Sequence, residues 1–126
     1  MINHIISALK ATTSVTNICP ADNIFPLFRL QGSSLPAVVV QLVNSAPQDT
    51  HDGQADTFEH DVEITSIGEN PQQVWRLATN IRLKLQGFAE PAGNLEGMRF
   101  INQATDVFET TDVFSVTQRY AVMEIQ

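Results

Sequence analysis

One cysteine, Cys19, stands in the whole chain, so no internal disulfide can form and a reducing compartment is the simplest setting. No apolar run approaches the roughly 20 residues that a membrane span requires. Residues 1–6 lack the basic start and the small-residue cleavage site of a signal peptide. The expectation is a soluble protein made in the cytosol, with no membrane partner. Basic residues are scarce as well: seven Lys and Arg stand against fourteen Asp and Glu, a net charge of -7. That argues against a free-standing nucleic-acid binder, which needs a basic patch to release counterions. It leaves room for a protein that lets DNA slide past without gripping it.

Catalytic signatures are missing too. There is no P-loop, no Gly-x-Ser-x-Gly elbow, and no Gly-x-Gly-x-x-Gly after a strand. Cys19 has no Cys-x-x-Cys partner, and between Ile18 and Pro20 it reads as packing before a turn. His51-Asp52 sits in a polar stretch, while His60 and Asp61 point to opposite faces of a strand, so neither pair is a chelating set. His60, on the apolar face, reads as a core or interface histidine. The sequence therefore implies no metal, no cofactor and no enzyme activity.

What is present is clearest over residues 58–87. Phe58, His60, Val62 and Ile64 alternate with Glu59, Asp61, Glu63 and Thr65, the pattern of a strand buried on one face and wet on the other. Carboxylates spaced by two on a wet face are the ordinary solvated arrangement and repel one another, which does not suit paired acid catalysis. A helix over residues 71–86 follows, with Asn70 as N-cap, Pro71 at the first position and Gly87 as terminator. Val74, Leu77, Ala78, Ile81 and Leu85 form its core stripe; Trp75, Thr79 and Arg82 lie on a neighbouring face. Trp75 packs either beneath the polar stretch or against a partner, and Trp beside Arg is a composition enriched at interfaces.

Elsewhere, Ile2, Ile5, Ile6 and Leu9 mark a short N-terminal helix, ended by the β-branched polar run of residues 12–16. Residues 24–30 look extended, with Pro26 on an edge or at a bulge. A turn over residues 31–34 and Leu35-Pro36 precede Ala37-Val38-Val39-Val40-Gln41-Leu42-Val43, a candidate central strand. Residues 44–57 break every periodicity and read as a long loop. Residues 98–104 and 113–125 read as strands, hairpinned through residues 106–112. The fold class is α+β: an antiparallel or mixed β-sheet, two α-helices packed on one face, and a long loop between two strands, all in a single domain over residues 1–126.

This order of motifs resembles the tail-completion, or tail-terminator, proteins of long-tailed bacteriophages. The likeness is carried by the helix of residues 2–9, Ile24-Phe25-Pro26-Leu27, Leu35-Pro36 before a valine-rich strand, Val62-Glu63-Ile64, Ile81-Arg82-Leu83-Lys84-Leu85-Gln86-Gly87, and the acidic turn of residues 106–112. It implies a structural virion protein at the head–tail interface, assembled in the cytoplasm of the host bacterium. Its partners would be five further copies of itself in a hexameric ring, the tail-tube protein, and a head-side connector or stopper protein. DNA would pass through without sequence-specific binding. Under this reading Gln48, Asp49, His51, Asp52 and Gln54 form a protein contact loop. Glu59, Asp61 and Glu63 are candidates for an acidic lumen, and Trp75 and Arg82 for a subunit interface. The alternatives are another neck or head-completion protein, or a small cytosolic ligand-binding domain or enzyme.

Overall fold

The structure is a computed structural model that describes residues 2–26, 35–50, 53–88, 95–108 and 113–125. Its elements run α1 (Ile2–Lys10), α2 (Thr13–Thr16), a 3-10 turn (Ala21–Asn23), β1 (Ile24–Pro26), β2 (Ala37–Thr50), β3 (Gly53–Gly68), α3 (Pro71–Leu85), β4 (Leu95–Phe108) and β5 (Val113–Ile125). The five strands form one mixed sheet in the order β1-β2-β3-β5-β4. β1 pairs parallel to β2, and every other pairing is antiparallel. The class is the α+β arrangement expected from the sequence.

The helices lie on the face that carries most of the large apolar side chains. Val38 and Val40 of β2, Val62 and Ile64 of β3, and Tyr120 and Val122 of β5 meet Ile5 and Leu9 of α1 and Leu77, Ile81 and Leu85 of α3 in one core. Each of these side chains is fully buried. Phe100 of β4 closes the core at the far end by meeting Tyr120 edge to face, with ring centroids 5.6 Å apart. The run of residues 12–16 does end α1, and residues 13–16 then form one more turn that buries Val15. A bond from Asn80 Nδ2 to the Ser14 carbonyl, 3.0 Å, fastens that turn to α3.

α3 begins and ends on the residues that the caps indicate. Asn70 Oδ1 accepts from the amides of Gln72 at 3.0 Å and Gln73 at 3.3 Å, and Pro71 opens the first turn. Gly87, at φ 76°, takes the left-handed conformation past the end and donates its amide to the Met98 carbonyl. Loss of a capping side chain costs about 1 kcal/mol. Asn70→Ala is therefore expected to lower the urea midpoint with the slope unchanged, whereas an unmoved midpoint would show that the cap contributes nothing here.

Two elements differ from the sequence expectation. The strand over residues 37–43 is not central: it lies second in the sheet, and among the described residues β1 covers only Val38, Val39 and Val40 along its outer side. Residues 44–50 and 53–57 are not a loop. They continue β2 and β3 as a paired ribbon, with Ser45 opposite His60, Pro47 opposite Phe58 and Thr50 opposite Gly53. Among the described residues the core clusters include none from this stretch, so nothing there imposes a period of two and the sequence shows no alternation. Pro47 is tolerated because it sits beside a register shift, on a strand side without a ladder partner among the described residues.

Candidate assembly surfaces

Three surfaces carry the residues singled out by sequence. The first is the β2–β3 ribbon. β3 pairs with β5 only from Thr57 onward, so the ribbon projects past the third strand of the sheet. Asp49 and Gln54 face each other across it, and Gln48 lies at the shift between Pro47 and Asp49. His51 and Asp52 fall outside the described residues. At its base Ser45 Oγ and His60 Nδ1 are 2.6 Å apart, which gives the buried His60 a structural role on the helix-bearing face.

The second surface is the sheet face opposite the helices. Glu59, Asp61 and Glu63 line it along β3, half-buried. Glu63 Oε1 accepts from Arg119 Nη2 at 2.7 Å across the β3–β5 pair. Both side chains are partly exposed, so the pair contributes at most about 1 kcal/mol; its effect is to offset one charge of the row. The register places Arg99 and Asp106 of β4 on this same face. Acidic groups thus outnumber basic ones, four to two, among these named residues. Thr65 and Thr117 meet hydroxyl to hydroxyl at 3.2 Å between them.

The third surface is the flank of α3 beside β4. The Arg82 guanidinium lies over the Phe100 ring, 5.6 Å from its centroid. Trp75 precedes Arg82 by seven residues, two helical turns, and so shares that flank. It is 46% exposed.

Sequence reasoning missed Gln118, fully buried on the helix-bearing face of β5. Its Nε2 donates to the Ala78 carbonyl at 2.9 Å and to Gln103 Oε1 at 3.1 Å, while Tyr120 donates its hydroxyl to Gln118 Oε1 at 3.4 Å. One amide therefore ties α3, β4 and β5 together. A polar residue inside an otherwise apolar alternation was the available signal. Burial also pushes the Tyr120 phenol well above its ordinary range.

Cys19 is fully buried, its thiol pushed up to about 11 by desolvation, against a weaker lowering by a backbone hydrogen bond from Val38. At neutral pH it is a thiol, not a nucleophilic thiolate. A cleft of about 310 Å³ between α2 and the start of α3 is lined by Asn17, Ile18, Asn70, Gln72, Gln73 and Arg76, which include no general base or nucleophile. Among the described residues no group of three His, Cys, Asp or Glu is placed to hold a metal ion. Among them, too, no helix is long and apolar enough to cross a membrane.

Comparison with known proteins accords with surfaces built for contact. The model of the family described as "Tail completion protein gp17" matches residues 3–124. A search of curated proteins finds no significant match. Among solved structures, a chain from the "Virion of native gene transfer agent (GTA) particle" superposes with a TM-score of 0.73 at 16% identity, over 97% of this chain and 92% of that one. At that identity the likeness is one of fold. The family match, spanning nearly the full length, shows that this chain belongs to the tail completion protein gp17 family and is a structural protein of the bacteriophage virion's tail.

Proposed function

We propose that the protein forms a six-membered ring that caps the finished tail tube, ends its polymerisation and offers the head-side connector a joining surface. The observation that carries this reading is the family match across residues 3–124. On this reading three surfaces take distinct roles. The face bearing Glu59, Asp61 and Glu63 lines the lumen, where an excess of acidic groups keeps passing DNA from sticking. The ribbon carrying Gln48, Asp49, His51, Asp52 and Gln54 is the contact arm that docks on a neighbouring ring. The flank with Trp75 and Arg82 faces an adjacent subunit. The protein acts by shape and contact, without catalysis or cofactor.

The test is the copy number of the native protein, free across a concentration series and bound to isolated tail ends. Six copies at the tail end are expected. A single copy there would overturn the ring.

A further inference from the structure

We draw no further inference here: the strongest candidate, the surface patch on the outward stripe of α3 that exposes Trp75 and Leu83, is an unpartnered apolar face, and nothing in the structure shows what covers it.

Discussion

Val40→Asp is expected to abolish folding: the purified variant should lack a cooperative unfolding transition, and most of it should be insoluble. Val40 is fully buried between Pro26 of β1 and Ile64 of β3, facing the helices. The change forfeits about 1.5–3 kcal/mol of apolar burial. It also places a carboxylate where the described neighbours are aliphatic, at a further cost of several kcal/mol. A domain of this size holds about 5–15 kcal/mol in all. The same substitution three residues on, Val43→Asp, falls on the exposed bulge between Leu42 and Asn44 and is expected to leave the unfolding midpoint nearly unchanged. The contrast separates burial from a general intolerance of charge in β2. A soluble, cooperatively unfolding Val40→Asp protein would show that the core is not built on this strand.

How far each part of the molecule could be read from sequence follows from what organises it. α3 and the body of β3 are legible because burial on one side writes a period into them: every residue of the expected helix stripe is buried, and Val62 and Ile64 face the core while Glu63 and Thr65 do not. The caps of α3 are local chemistry and were legible for that reason. The ribbon was not legible, because its pairing is backbone to backbone and leaves no imprint on side-chain order. The position of β2 was not legible either. Its apolar run shows that it is buried near Val40 but not how many strands lie beyond it; one does, β1, which among the described residues covers three of its positions. The bulges at Val43 and Ile101, where the register shifts, are likewise invisible before the pairing is known. They leave both side chains, ordinary for strands by composition, exposed. The candidate surfaces were thus named residue by residue, while the geometry that groups them came from the fold.

Deleting residues 48–55 is expected to leave the domain folded and to stop tail completion. Pro47 and Phe58 are direct partners, so the deletion leaves Asp56-Thr57 as a two-residue connection between them, a length that hairpins accept. β3 meets β5 from Thr57 onward, so the segment removed takes no part in the β3–β5 pairing. The core residues among those described all lie outside it. The unfolding midpoint should therefore stay close to that of the unaltered protein, because stability resides in the core and this ribbon stands outside it. The cost falls on assembly. On the proposed reading, a paired ribbon that projects past β5 and carries Asp49 is the part of the domain that makes contact. Tails made with the variant should lack the terminal ring or fail to join heads, so that infectious or filled particles drop by orders of magnitude while the protein accumulates in soluble form. A normal particle yield from the folded variant would remove the contact-arm role. An unfolded variant would show that the ribbon supports the domain after all, against the register that sets it apart.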